Sequence, residues 1–245
     1  MPRAPLSAYF CLAIVLLVSL GAMAPANAAN APHLFGSDEV RSSDLRYFPK
    51  WTDMLERYKH EVSATHWDRF IDGLRGADPL DQLDQINRYM NDVPHKADVG
   101  NYAATDYWAT PRQFFAHAGD CEDFAIAKFL SLRSLGWEND QLRIVVLDDL
   151  TKGTPHAVLV AYHGGEAWIL DNQYVRVVRA ERIEGYRPRF SINETSWWLH
   201  RAHNVDLEPT AVSRHAEFRG TVGDPLSRAD GRWKVEHQRP SLWPL

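Results

Sequence analysis

The segment from Gly119 to Gly136 places the strongest constraint on the fold, because it combines a helix start, a cysteine and a helix stop. Gly119 allows the chain to turn into the helix, and Asp120 is a favoured N-cap residue. Cys121 is then the first helical residue. The helix is predicted to run to about Leu135, since Gly136 is a typical stop.

The apolar residues of this segment follow the three-and-four spacing of a buried helix face. They are Phe124, Ala125, Phe129, Leu132 and Leu135. Lys128 lies on the same face, where its stem is predicted to be buried while its amine reaches water. The spacing therefore predicts that the cysteine stands at the start of a rigid, packed helix.

Cys121 is a candidate nucleophile, because the N-terminus of a helix stabilises a thiolate. Asp120, Glu122 and Asp123 oppose this, since negative charge beside the sulfur disfavours a second anion. A divalent cation held by carboxylate oxygens would offset the repulsion, and calcium suits such ligands. In the alternative interpretation the acids are ordinary first-turn residues and the cysteine is a small buried residue. This segment alone does not decide between the two.

Residues 1–28 are predicted to be a secretory signal peptide, which indicates an exported, periplasmic protein. A short apolar run from Ala8 to Leu20 is followed by small residues that end at Ala28. The run is short for a membrane span of about 20 residues, although an uncleaved anchor is the alternative. Cleavage removes Cys11, so Cys121 has no disulfide partner in the mature chain. An unpaired cysteine in an exported protein favours a chemical role.

Residues 29–203 are predicted to form one domain and residues 204–245 an irregular tail, because the periodicity fades beyond about His203. The chain carries 27 basic and 32 acidic residues. This mild acidity argues against nucleic acid or an anionic membrane as a partner.

Helices are predicted from Trp51 to Tyr58 and from Pro79 to Met90, the second with Asp78 as its N-cap. Both are interpreted as core helices. Thr110-Pro111 predicts the start of a short helix, and a hairpin is predicted around Asn193-Glu194. The order of helices and strands indicates an α+β fold.

After Gly136 the pattern becomes alternating or continuously apolar, which predicts strands. These are Leu142–Leu147, Ala157–Tyr162 and Ala167–Leu170. A two-residue turn at Gly164-Gly165 would pair Val158 with Asp171 and place His156 diagonally opposite Asp171 on one face.

A histidine and a carboxylate at the end of an apolar sheet are typical of a catalytic base and its orienting acid. The alternative is that His156 and Asp171 mark the point where the sheet meets solvent, and a one-residue change in the turn would reverse the faces. Together with the lone Cys121, the pattern favours nucleophilic catalysis.

Four stretches also carry a likeness to a known family: Tyr107–Pro111, Gly119–Lys128, His156–Leu159 and Leu170–Asn172. They resemble the motifs of the bacterial transglutaminase-like cysteine proteinases, in particular the LapG-type adhesin proteases, and the likeness runs from about Trp51 to Leu199.

The resemblance implies a papain-like, transglutaminase-like fold, with a helical N-terminal part and the catalytic helix packed on an antiparallel sheet. It implies Cys121 as nucleophile, His156 as base and Asp171 as the residue that orients the base. It also implies calcium beside the cysteine, bound by Asp120, Glu122 and Asp123, with Asp140 as a further candidate ligand.

The family likeness further implies a calcium-dependent periplasmic endopeptidase that controls biofilm attachment. Its expected substrate is a large surface adhesin, cut near its N-terminus at an Ala-Ala site. Its expected inhibitor is an inner-membrane cyclic-di-GMP receptor that sequesters the protease. Two alternatives remain from the residues themselves: acyl transfer to an amine, which uses the same acyl-enzyme, and a binding module without activity.

Overall fold

A computed structural model of the chain describes residues 33–61, 66–98 and 106–202, together with the backbone of two short paired strands at 226–229 and 232–235. The predicted signal peptide at 1–28 lies outside the described residues. The predicted irregular tail at 204–245 also lies outside them, except for those two strands. Among the described residues, no helix has both the length and the apolar character that crossing a bilayer requires.

The helices begin where the sequence supplies caps and prolines. The described helices are α1 (Pro49–Lys59), α2 (His66–Gly73), α3 (Pro79–Asn91), α4 (Pro111–His117) and α5 (Cys121–Ser134). In α3 the Asp78 side chain accepts from the Leu80 N–H, and in α4 Thr110 and Gln113 cap each other's backbone N–H. The predicted helices are therefore confirmed, whereas α2 was not predicted.

The central helix α5 begins at Cys121, as predicted. Its C-cap is Leu135, followed by Gly136 with φ +96°. The prediction that the amine of Lys128 reaches water is wrong, because the residue is 0% exposed. Helix α5 packs against strands on one side and against α3 and α4 on the other, so no face is open to solvent at that position.

Seven strands form one antiparallel sheet in the order β1-β7-β6-β2-β3-β4-β5. They are β1 (Ser37–Ser42), β2 (Leu142–Asp149), β3 (Thr154–His163), β4 (Glu166–Leu170), β5 (Val178–Arg179), β6 (Tyr186–Ile192) and β7 (Trp197–Ala202). The strands at 226–229 and 232–235, β8 and β9, form a separate pair. The two predicted hairpins correspond to β3-β4 and β6-β7.

The β3-β4 register is the one that the two-residue turn predicts, with His163 opposite Glu166 and Val160 opposite Ile169. Both faces of the sheet are buried. Leu159 and Leu170 pack with α5 and the other helices, while Val160 and Ile169 pack on the opposite face with residues such as Leu34. The predicted α+β arrangement, with helix α5 on an antiparallel sheet, is confirmed.

Candidate active site

The turn into α5 is shaped by a close approach between Gly119 and Asp123. A Cβ atom at Gly119 would lie 2.6 Å from the Cβ of Asp123. Glycine is therefore required here because there is no space for a side chain, and not because the chain needs flexibility. Asp123 accepts from the Asp120 N–H (3.4 Å) and from the Ala109 N–H (2.7 Å). Its carboxylate therefore ties the start of the helix to the segment before α4.

Cys121 is nearly buried against Val146 and Ala157, with its Sγ donating to Glu122 Oε2 at 3.1 Å. Burial, followed by the negative charges of Glu122 and Asp120, raises the pKa of the Cys121 thiol well above its ordinary value. A hydrogen bond from the Ala157 backbone acts in the opposite direction but is the smaller effect. Burial and the neighbouring acids together therefore favour the protonated form of the sulfur.

His156, near the start of β3, and Asp171, directly after β4, meet at the end of this hairpin that lies away from its turn. Their side chains form a 2.9 Å hydrogen bond between Nε2 and Oδ1. The carboxylate places the imidazole proton on Nε2 and leaves Nδ1 as the acceptor nitrogen. Ala157, the next residue along β3, packs against Cys121. The structure therefore brings the predicted base and acid into direct contact, and it places the next residue of β3 against Cys121.

Asp171 is held as a carboxylate by several donors. Tyr186 donates its hydroxyl to Oδ2 at 2.6 Å, and the Gln173 N–H donates to Oδ1 at 2.8 Å. Burial alone would raise the pKa of Asp171, but hydrogen bonds from His156, Tyr186 and Gln173 outweigh it and hold the pKa below its ordinary value. Asp171 is thus ready to stabilise an imidazolium.

Helix α3 fixes the loop that follows Asp171. Asn91 Nδ2 donates to the carbonyl oxygens of Asp171 (2.9 Å) and Tyr174 (3.0 Å), and Asn87 Nδ2 donates to that of Tyr174 at 2.9 Å. The interpretation of α3 as a core helix alone was incomplete, because two of its amides position the loop of the candidate acid.

A cluster of three carboxylates lies beside the thiol. One ligand oxygen from each of Asp98, Asp120 and Glu122 lies within 4.8 Å of the others. Asp98 Oδ1 and Asp120 Oδ1 are buried without a hydrogen-bond partner among the described residues. Burial raises the pKa of all three groups. Carboxylate oxygens grouped in this way, two of them without a hydrogen-bond partner among the described residues, fit a hard cation such as calcium.

The other two candidate ligands are not members of this cluster. Asp123 is engaged by the Ala109 N–H, as described above, and is not part of this cluster. Asp140 lies in a 3-10 turn, Asn139–Gln141, beyond the opposite end of α5.

The chain is similar to known proteins both in sequence and in fold. The sequence pattern of the bacterial transglutaminase-like cysteine proteinases (BTLCP) matches residues 48–204. The chain belongs to this family. It is also similar to the structure of Legionella pneumophila LapG, at 31% identity and a TM-score of 0.51, over 60% of this chain and 86% of that one.

Two further structures of the Legionella protein, one calcium-bound and one EGTA-treated, match at the same identity and TM-score. They cover 60% of this chain and 86% and 84% of theirs. A search of curated proteins gave no match. The predicted family and fold are thus confirmed, and the chain is a cysteine proteinase.

Three residues at the site of the proteinase were missed by sequence reasoning: Asp98, Tyr186 and Asn91. Asp98 lies outside the nucleophile motif and before α4, so no periodicity connects it to Cys121. Tyr186 reaches Asp171 from another strand. Of the three, only Asn91 could have been found from the sequence. It follows Asn87 by one helical turn, and two amides on one helix face indicate a hydrogen-bonded contact with another element.

Proposed function

We propose that the proteinase is a calcium-dependent endopeptidase with Cys121 as nucleophile, His156 as general base and Asp171 as the orienting acid. The observation that carries this proposal is the His156–Asp171 hydrogen bond at 2.9 Å, formed one residue away from the Ala157 contact with Cys121. Membership of a cysteine proteinase family supports the assignment, since Cys121 is the free cysteine of the described residues.

The chemistry follows from the assigned nitrogens. His156 Nδ1 accepts the proton of the Cys121 thiol, while Nε2–H stays bonded to Asp171. The thiolate attacks the carbonyl carbon of the peptide bond, and the electron pair moves to the carbonyl oxygen. The Cys121 N–H belongs to the first turn of α5, whose N–H groups have no acceptor within the helix, and it can stabilise that oxyanion.

Breakdown of the tetrahedral intermediate re-forms the carbonyl and releases the amine, which takes the proton from His156 Nδ1. The acyl group is then held as a thioester on Cys121. A water molecule, deprotonated by His156, attacks the thioester, and the carboxylic acid product leaves as the thiol is restored.

Asp98, Asp120 and Glu122 are the residues that would hold calcium. Bound there, the ion supplies positive charge that offsets the carboxylates beside the sulfur. The Cys121 hydrogen bond to Glu122 shows how directly these acids act on the thiol in this structure. The calcium-bound form of the Legionella protein is consistent with such a requirement.

The proposed setting is the periplasm, reached through the signal peptide at residues 1–28. The proposed substrate is a large surface adhesin, cut near its N-terminus at an Ala-Ala site so that biofilm attachment is released. The proposed inhibitor is an inner-membrane cyclic-di-GMP receptor. The resemblance of the Cys121, His156 and Asp171 motifs to LapG-type proteases supports these assignments.

The test is cleavage of an N-terminal adhesin fragment by the mature protein and by Cys121→Ala, each in calcium chloride or excess EGTA. We expect cleavage by the wild type in calcium alone, and none when the Ala-Ala pair of the fragment is replaced by Arg-Arg. Incorporation of a fluorescent amine into the fragment without cleavage would instead assign acyl transfer.

A further inference from the structure

We propose that Tyr186 is a positioning residue, which fixes the orientation of the Asp171 carboxylate and, through it, the imidazole of His156. This inference deepens the proposed function and rests on the roles of His156 and Asp171 in it. It concerns a hydroxyl on β6, about which the sequence pattern of the nucleophile, base and acid says nothing.

The two oxygens of Asp171 have separate donors. Oδ1 accepts from His156 Nε2 at 2.9 Å and from the Gln173 N–H at 2.8 Å, whereas Oδ2 accepts from the Tyr186 hydroxyl at 2.6 Å. Among the described residues, no other hydrogen bond to Oδ2 is formed. Without the hydroxyl, the buried Oδ2 would lose this hydrogen bond, and the carboxylate would be held through Oδ1 alone, which fixes its orientation towards His156 less firmly.

The hydroxyl is presented by a rigid ring. Tyr186 is 7% exposed and lies on β6, where it pairs with Asp149 of β2. Its ring meets the His156 imidazole edge-on at a centroid distance of 6.0 Å and meets Phe35 edge-on at 5.6 Å. Contacts on both sides restrict the ring, so the position of the hydroxyl oxygen beside Asp171 is set by packing.

The electrostatics favour a neutral donor at this position. A hydroxyl stabilises the carboxylate without cancelling its charge, so Asp171 can still stabilise a protonated His156. Burial, together with the Asp171 charge, raises the pKa of Tyr186, which keeps its hydroxyl protonated and able to donate. A cationic donor at the same place would compete with His156 for the carboxylate.

Tyr186→Phe removes the hydroxyl alone, and Tyr162→Phe is its matched control. Tyr162 is also 7% exposed and packs on the same face of the sheet, but its hydroxyl has no hydrogen-bond partner among the described residues. Both variants remove one hydroxyl from a buried ring. A difference in their alkylation rates or NMR signals therefore measures the effect of the hydrogen bond to Asp171.

The first measurement is the rate of Cys121 alkylation by iodoacetamide at pH 7 in calcium chloride, followed by mass spectrometry. We expect Tyr186→Phe to react roughly tenfold to a hundredfold more slowly than wild type, in line with loss of a hydrogen bond to a charged group. Tyr162→Phe should react at the wild-type rate. Equal rates for all three proteins would overturn the proposal.

The second measurement uses nitrogen-15-labelled histidine and follows the imidazole N–H of His156 by NMR. We expect this signal to move or broaden in Tyr186→Phe and to stay unchanged in Tyr162→Phe. A hydroxyl that only stabilised the fold would leave the His156 signal unchanged in both variants. An unchanged signal in Tyr186→Phe would also overturn the proposal.

A double-mutant comparison separates positioning from other effects. If Tyr186 acts through Asp171, then Tyr186→Phe should cause no further loss of alkylation rate in an Asp171→Ala background. A full additional loss there, or loss of cooperative thermal unfolding in the single Tyr186→Phe variant, would make the hydroxyl a folding determinant instead.

These readouts need no adhesin. If the adhesin is not cut while alkylation and NMR respond as expected, the positioning role stands and only the substrate assignment fails. If His156→Ala alkylates as fast as wild type, the base assignment itself fails, and the proposal about Tyr186 fails with it.

Discussion

The helix N-terminus at Cys121 favours a thiolate, yet the pKa of the thiol is raised. Burial is the largest cause, and the charges of Glu122 and Asp120 add to it. The sequence indicated the effect of the acids, because they are chain neighbours of the cysteine. The burial comes from contact with Val146 and Ala157 of the sheet, and the acids next to Cys121 in the sequence do not predict this contact. The proposed role of Cys121 as nucleophile therefore depends on both the proposed base and a counter-charge for the acids.

His156→Ala should lower the rate of Cys121 alkylation at pH 7 and of peptide cleavage by about 100-fold to 10,000-fold, because the thiol loses its proton acceptor. His163→Ala is the matched control, since His163 ends the same strand at the hairpin turn, opposite Glu166. Rates can be measured with iodoacetamide and with the adhesin fragment. Near-normal turnover in His156→Ala would remove this residue from the mechanism.

Gly119→Ala should destabilise the site, because a methyl group at this position meets the Asp123 side chain. We expect a loss of about 1–3 kcal/mol in the free energy of unfolding, typical of overpacking, and loss of cleavage as Asp123 is displaced. Gly73→Ala serves as the control: it lies at the end of α2 with nothing within 4 Å of the added Cβ. Urea unfolding measures both, and equal stability for the two variants would contradict the close-approach argument.

At the scale of elements, the sequence predicted what local patterns determine. The cap at Asp120 and the stop at Gly136 defined α5, and the two-glycine turn defined the β3-β4 register that brings His156 to Asp171. Contacts between distant elements were not predictable, because hydrophobic periodicity reports which face is buried and not what covers it. Asp98 and Tyr186 reach the site through such contacts.

Lys128 is a further residue whose surroundings could not be predicted, because its periodicity did not show what covers it. Its burial leads to a prediction about pH. Burial lowers its pKa to about 7, although the Asp171 charge acts in the opposite direction. The unfolded chain therefore binds more protons than the folded protein between about pH 7 and the ordinary lysine pKa of 10.5. The stability contributed at this position consequently rises with pH across that window.

Lys128→Met should remove this dependence. We expect its free energy of unfolding to exceed that of wild type by about 1–3 kcal/mol at pH 6, since a buried amine with no hydrogen-bond partner among the described residues is replaced by an apolar chain of similar length. The advantage should shrink as the pH rises towards 10. Urea unfolding at pH 6, 8 and 10 measures the difference. A constant difference across this range would show that the amine does not titrate as stated.

At the scale of the whole molecule, the sheet and α5 assemble the site from segments far apart in sequence. Cys121 and two acids come from the start of α5, His156 from β3, and Tyr186 from β6. Asp98 is held to the segment before α4 by the Tyr107 N–H. The carboxylate cluster therefore joins the start of α5 to a segment outside the sheet, so its charge state affects the stability of the fold as well as the thiol.

Calcium should raise the melting temperature of the purified mature protein relative to EGTA. Saturation at about 100 times the dissociation constant adds about 2.7 kcal/mol, which corresponds to roughly 5–10 °C for a domain of this size. Differential scanning fluorimetry with calcium chloride alone measures the shift. No shift at millimolar calcium, together with full cleavage in excess EGTA, would make the three acids purely structural.

Asp98→Asn and Asp140→Asn decide which acids bind the ion. Asp98→Asn keeps an acceptor for the Tyr107 N–H but removes one ligand charge, so it should abolish the calcium shift while raising the melting temperature in EGTA, because like-charge repulsion falls. Asp140→Asn should shift like wild type, since Asp140 lies beyond the opposite end of α5. If Asp140→Asn loses the shift and Asp98→Asn keeps it, the ion binds away from the thiol, and charge neutralisation at Cys121 is not how calcium acts.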